Sequence, residues 1–190
     1  MRKLILASSS KYRRALLKRL NVPFECISPQ IDETPKEHET PHQLVKRLSL
    51  AKANVIAATN SDAIVIGSDQ IAIFENRIIG KPGSFDGAFN QLKQFSGNPL
   101  KFITGVAIVC AKEGLEKYEY SEVTVKFRAL SDKEIKAYLI ADQPYDCAGS
   151  FKVESLGISL FEFIQSDDPT SLEGLPLIIV SRLIPAYITP

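Results

Sequence analysis

The sequence predicts an α/β protein, and three observations carry that prediction. Ala63-Ile64-Val65-Ile66 is a β-branched apolar run ending in Gly67-Ser68-Asp69-Gln70, and runs of that length suit strands buried on both faces in mid-sheet. Strand and helix signals alternate from Leu4 through to Phe95. With 190 residues, 45% of them hydrophobic, the chain is long enough for one good core, so a single domain over 1–190 is expected. Ligands of such sheets bind beyond the carboxyl ends of the strands, which makes Asp69 a candidate functional residue. The same eight residues equally describe a strand followed by a turn that contains an Asp.

Taken in order, residues 3–7 read as a strand and Ser8-Ser9-Ser10 as the cap of a helix reaching about Leu20. A strand that feeds a helix N-terminus is also a ready anion site. Leu16, Leu17 and Leu20 form the apolar face of this helix, and Arg13 shares that side in the first turn. A short strand over 24–27 precedes a loop rich in Pro, Asp and Glu that contains Asp32-Glu33-Thr34. The next helix spans about Pro41–Ala58, with an apolar arc of Leu44, Val45, Leu48, Ala51, Val55 and Ile56. Lys52 falls inside that arc and must either snorkel or meet an anion. After the central run, Ile71–Phe74 and Arg77–Ile79 flank Glu75-Asn76, a two-residue hairpin signal, and lead to Gly80-Lys81-Pro82. Gly frees the backbone and Pro fixes it, so Lys81 is expected at a defined corner. Ser84 caps a helix to about Phe95, residues 100–110 and 119–128 read as long paired strands, and Ser131 with Glu134 forms a capping box. The stretch Cys147–Ile158 has neither period, and its small residues around Lys152 and Glu154 suggest a pocket wall. Leu175-Pro176 opens the last helix.

Composition narrows the function classes. A net charge of +1 gives no electrostatic argument for nucleic acid or a membrane surface, and no apolar stretch approaches spanning length. Cys26, Cys110 and Cys147 are odd in number and lack metal-ligand spacing, which fits a reducing compartment; a cytoplasmic address is expected. His38 and His42 stand four apart, but Pro41 lies between them and the Glu of an HExxH motif is missing, so they are not read as a zinc pair. There is no GxxxxGK[ST] loop, no GxGxxG after the first strand and no nucleophile elbow.

What remains is a set of parts: Ser8, Ser10, Arg13, Lys52 and Lys81 with the carboxylates of Glu33 and Asp69. Cations neutralise phosphate oxygens, and Asp and Glu hold a hard divalent ion through oxygen. Such a set suits metal-assisted chemistry on a polyphosphate, where positioning and electrostatics do most of the catalysis. Scattered surface charges are the alternative.

Ser8-x-Ser10-x-x-Arg13-Arg14, Asp32-Glu33-Thr34, Lys52-Ala53, Gly67-Ser68-Asp69-Gln70 and Gly80-Lys81-Pro82 occur in this order. At these separations they resemble the Maf family of nucleoside-triphosphate pyrophosphatases over essentially the whole chain. Gln70 and Cys147-Ala148-Gly149-Ser150-Phe151-Lys152-x-Glu154 are similar to its 7-methyl-GTP pyrophosphatase branch. The resemblance implies a mixed twisted sheet flanked by helices, similar to the inosine-triphosphatase group, and commonly a homodimer. It also implies hydrolysis between the α- and β-phosphates with a divalent cation of the magnesium or manganese type. By position, Asp69 would activate water and share the metal with Glu33, while Ser8, Ser10, Arg13, Lys52 and Lys81 would hold the triphosphate. Two departures stand out: Lys11 where the family often has Pro, and Ser155 where this branch often has Gly.

A positively charged N7-methylated guanine would suit stacking on an electron-rich ring, and Tyr12 is placed for it. A carboxylate such as Glu154 can accept from both N1–H and the exocyclic amine of guanine. Gln70 and Lys152 complete the substrate-binding candidates. The partner expected is a small nucleotide rather than a nucleic acid or membrane. Two other readings stay open: a pyrophosphatase for dTTP and UTP, and a non-catalytic nucleotide-binding regulator of septum formation.

Overall fold

Leu4–Ala7 forms β1, every residue of it buried, and it pairs in parallel with Glu25–Ile27 (β2) on one side. On its other side lies Ile64–Phe74 (β3), also parallel, with Leu4 opposite Ile64 and Ala7 opposite Gly67. A computed structural model describes residues 2–184. Arg77–Ile79 (β4), Pro99–Cys110 (β5), Leu115–Phe127 (β6) and Phe161–Ser166 (β7) complete the strands. The strand order is β2-β1-β3-β5-β6-β7, with β4 antiparallel to β3 and β7 antiparallel to β6, so the sheet is mixed as expected. The helices are Lys11–Lys18 (α1), Pro41–Ala57 (α2), Phe85–Phe95 (α3), Asp132–Asp142 (α4) and Leu177–Leu183 (α5). Among the described residues, no helix is long and apolar enough to cross a membrane.

The chain divides into two compact units, the first drawn from Met1–Gln70, Ile103–Ser121 and Asp168–Pro190, the second from Ile71–Phe102 and Glu122–Asp167. In the first unit the strands are covered on both faces. Leu4, Leu6, Ile64, Ile66, Val106 and Ile108 pack against Leu16 and Leu17 of α1 and Val180 of α5. On the opposite face Ile5, Ala7, Val65, Ala107 and Val109 meet Ala53, Ile56 and Ala57 of α2. Alternate residues of one strand thus enter two different cores, which is why the run at 63–66 is apolar without alternation. The second unit packs α3 on α4, with an edge-to-face aromatic chain through Phe102, Phe151, Phe161 and Phe127.

Several elements differ from the sequence expectation. No turn follows Gly67: β3 runs unbroken from Ile64 to Phe74, so Asp69 stands inside a strand. On α2, Val55 is exposed and Ala51 only half-buried, while Ser49, Lys52, Ala53 and Ala57 are buried. The arc is rotated because α2 comes so close to β3 that small residues must face it. A Cβ on Gly67 would stand 2.2 Å from the Ser49 carbonyl oxygen and 2.7 Å from the Ala53 nitrogen. The hairpin is as expected, with Glu75 and Asn76 both at positive φ. Both capping boxes are formed, at Ser131–Glu134 and at Thr40–Gln43; the sequence reading identified only the first.

Neither β7 nor the 3-10 turn Pro169–Glu173 was foreseen, and with them went the role of Asp168. This buried carboxylate accepts from the Thr170 N–H at 3.1 Å and hydroxyl at 2.6 Å, and from the Ile178 N–H at 2.7 Å. Pro176 precedes α5 without a capping side chain, so Asp168 supplies the acceptor that the helix start lacks. Asp168→Ala would orphan several buried donors and is expected to destabilise the protein by about 2–3 kcal/mol. A lower urea midpoint at unchanged m-value would show it, and Asp168→Asn should lose less.

Candidate functional site

The polar residues of the first unit gather where β1 ends and β3 continues. Because Ala7 is paired with Gly67, the chain leaves β1 at Ser8 just as β3 reaches Ser68 and Asp69. Ser8 is buried, and its Oγ accepts from the Ser10 N–H at 3.1 Å. Ser10 is the N-cap of α1, accepting from the Arg13 N–H at 3.3 Å. Lys11 therefore starts the helix without needing Pro, since the cap is intact.

Arg13 is half-buried and donates through Nε to the Gly174 carbonyl at 2.8 Å, which also accepts from the Ser68 hydroxyl at 3.1 Å. Burial pushes the Arg13 guanidinium pKa down, and the Asp69 and Glu33 carboxylates push it back up. Their charges therefore reach the same place as the guanidinium.

At the centre is Lys52. Its ammonium lies 2.7 Å from Asp69 Oδ1 and 2.9 Å from Glu33 Oε1. Lys52 and Asp69 are each only 6% exposed, whereas the Glu33 side chain is mostly open to solvent. A buried lysine needs an anion, and Lys52, expected either to snorkel or to meet one, meets two. Asp69 is fixed from behind as well: its backbone N–H donates to Ser49 Oγ at 3.1 Å. Asp32 accepts from the Thr34 N–H at 2.9 Å, which shapes the loop that brings Glu33 to Lys52. Arg47 tethers the same loop, donating to Glu39 at 2.6 Å and to the Thr34 carbonyl at 3.0 Å.

The remaining candidates are placed differently. Gln70 turns to the other face of β3, its amide donating to the Ser171 carbonyl at 2.7 Å and to Thr104 Oγ1 at 3.0 Å. Tyr12 has the Lys11 ammonium 5.0 Å from its ring centre. Lys81, Lys152 and Glu154 belong to the second unit. Lys81 is exposed in the loop after β4, and Glu154 is exposed in a turn. The Lys152 ammonium caps the carboxyl end of α4, donating to the carbonyls of Asp142 and Gln143. Ser155 sits at φ −131°, ψ −143°, negative-φ backbone that does not require Gly, so that departure leaves the turn intact. The close approach here belongs to Gly157 instead, where a Cβ would stand 2.4 Å from the Lys152 carbonyl oxygen.

Sequence reasoning missed Ser49, Ser68 and Gly174. Ser49 carried a usable signal, a polar residue three before Lys52 on the same side of α2. The joint role of Ser68 and Gly174 depends on a contact spanning 106 positions, which no local pattern reports.

Comparison with known proteins finds relatives along nearly the whole chain. The family model described as Maf-like protein matches residues 3–187. A 7-methyl-GTP pyrophosphatase of Albidiferax ferrireducens is 50% identical over 185 residues, covering 97% of this chain and 93% of that protein. One of the same name from Bordetella pertussis is 51% identical, covering 96% and 90%. Among solved structures, a HAM1 protein from Coxiella burnetii superposes with a TM-score of 0.56 at 15% identity, covering 98% of this chain and all of that one, and so shares the fold. A family match along nearly the whole length, joined to relatives half-identical over nine-tenths of theirs, establishes that this chain belongs to the Maf family.

Proposed function

We propose that this chain is a nucleoside-triphosphate pyrophosphatase acting on 7-methyl-GTP, cleaving between the α- and β-phosphates to give the monophosphate and pyrophosphate. The curated relatives of about 50% identity bear that name. The observation that carries the chemistry is the one ammonium, of Lys52, bonded to both Asp69 and Glu33.

The donor set fits a divalent cation of the magnesium or manganese type. Two carboxylates that share one cation are hard oxygen donors already gathered at one point. Among the described residues no group of three or more His, Cys, Asp or Glu could hold a metal by itself. Magnesium is commonly held by one or two carboxylates with substrate phosphates completing its shell. Such an ion supplies charge neutralisation and acidifies water.

Asp69 accepts the proton of the attacking water, and Asp69 and Glu33 are the carboxylates that would hold the metal. Lys52, displaced from the carboxylates by phosphate oxygens, becomes a grip on the triphosphate together with Arg13, Ser8 and Ser10. The family resemblance adds Lys81 to that grip. Glu154 accepts from the Watson–Crick edge of guanine and Tyr12 stacks on the cationic base, while Lys152, seated on the end of α4, orients the loop that carries Glu154. Gln70 braces the Ser171 carbonyl below the site. The chain works in the cytoplasm as a homodimer.

Pyrophosphate release from 7-methyl-GTP, GTP, dTTP and UTP with magnesium or manganese tests this reading. The expected result is highest kcat/KM for 7-methyl-GTP. A preference for pyrimidines would remove the roles of Tyr12 and Glu154, and no turnover of any nucleotide would leave a binding protein.

A further inference from the structure

The Tyr118 hydroxyl is buried and has no hydrogen-bond partner among the described residues. Native structures rarely leave such a group unpaired, so an orphan asks what the protein does with it. Tyr118 stands on β6, Gly105 on β5 and Asp69 on β3, and these strands are neighbours in that order. A Cβ on Gly105 would meet Ser49 Oγ of α2 at 2.8 Å and Tyr118 Cε2 at 2.9 Å. The phenol ring therefore lies over the bare glycine on the α2 face of the sheet. Asp69 projects to that same face, where it bonds Lys52, and its backbone N–H is held by the same Ser49 Oγ. Stacking on Tyr120, with ring centres 6.4 Å apart, and the Lys46 ammonium 5.8 Å from the ring centre fix the Tyr118 ring in place. Burial, then Tyr120, then the Asp69 charge push the Tyr118 pKa up to about 12, so the hydroxyl keeps its proton near neutral pH.

We propose that Tyr118 is a positioning residue for Asp69: when the site is loaded, its hydroxyl donates to the Asp69 carboxylate and fixes the orientation in which that carboxylate holds the divalent cation. The Lys52 ammonium, 2.7 Å from Asp69 Oδ1, orients that carboxylate. Phosphate oxygens that draw Lys52 away leave the carboxylate in need of another donor, and among the described residues the Tyr118 hydroxyl is a buried donor on that face without a partner. Carboxylates that hold metal ions are ordinarily hydrogen-bonded in this way, and losing that partner weakens metal affinity or activity about 10–100-fold. The catalytic consequence rests on the pyrophosphatase reading, whereas the effect on the cation does not.

Tyr118→Phe in the full chain decides it. The metal-free variant should have a Tm equal to or above wild type, because the hydroxyl removed had no partner. Its Mn2+ affinity, followed by electron paramagnetic resonance titration with an α,β-methylene analogue of 7-methyl-GTP present, should fall about 10–100-fold. KM for the nucleotide at saturating Mn2+ should stay within about twofold, with the loss carried by the Mn2+ requirement. Tyr120→Phe, at the stacked neighbour, should bind Mn2+ as wild type does. Unchanged Mn2+ affinity in Tyr118→Phe overturns the proposal, as would a lowered metal-free Tm or an equal weakening by Tyr120→Phe. If the wild type turns over no nucleotide, the reading of the reaction fails, while the Mn2+ titration still reports on Tyr118.

Discussion

Asp69→Asn is expected to lower kcat by about 10²–10⁴-fold, the range for loss of a general base, while the protein stays folded. Asn has the same shape and keeps the backbone N–H bond to Ser49, but it can neither take a proton from water nor carry charge to a metal. Removing one partner of a buried ion pair usually costs about 3–5 kcal/mol, because the other charge is stranded. Here Lys52 retains Glu33 at 2.9 Å, so the loss of stability should be well below that range. The decisive pair of measurements is pyrophosphate release and Tm on the same preparation. Wild-type turnover in Asp69→Asn would remove Asp69 as base. Lost turnover accompanied by unfolding would show that the pair is chiefly structural. Glu33→Gln is the useful companion: its side chain is mostly solvent-exposed, so it should leave Tm nearly unchanged and raise the metal requirement.

How much of this was legible beforehand depends on the range of the interaction. Caps, the hairpin and the strand–helix alternation are local, and Ser10, Ser84, Ser131 and Glu75-Asn76 reported them directly. The burial of Lys52 was also legible, since a 3.6-residue period places it among Val45, Leu48 and Ile56. The same period, applied by hydrophobicity alone, put Val55 in the core and left out Ser49 and Ala57, because it carries no information on how close the sheet comes. The expectation that the strand ends at Gly67 fails for a related reason. Gly, Ser and Asp are turn residues by propensity, yet here Gly makes room for a helix, Ser68 bonds the Gly174 carbonyl and Asp69 meets a buried lysine. Tertiary partners overrode local preference at the residues proposed to do the chemistry, and there a local reading was bound to be weakest.

Gly67→Ala should be the most damaging single-methyl change in the first unit. The added Cβ would stand 2.2 Å from the Ser49 carbonyl oxygen, 2.7 Å from the Ala53 nitrogen and 2.9 Å from the Ala53 Cβ. Two of these are helix backbone atoms, so no rotamer change relieves the clash; α2 must move away from β3 as a body. Overpacking of a close-packed interior costs about 1–3 kcal/mol when side chains can yield. With backbone in the way the upper end applies, or a fall in Tm of about 6–12 °C for a chain of this size. The same displacement reaches the site, because the helix that moves carries Ser49 and Lys52 and the strand it leaves carries Asp69. Activity should therefore fall further than the loss of folded protein accounts for, even at temperatures where the variant is fully native. Gly80→Ala is the control, since nothing lies within 4 Å of its Cβ position and its φ is not in the left-handed range. A Gly67→Ala protein with the stability and turnover of Gly80→Ala would mean that α2 does not rest on β3 as described, and the Lys52–Asp69 contact would fall with it.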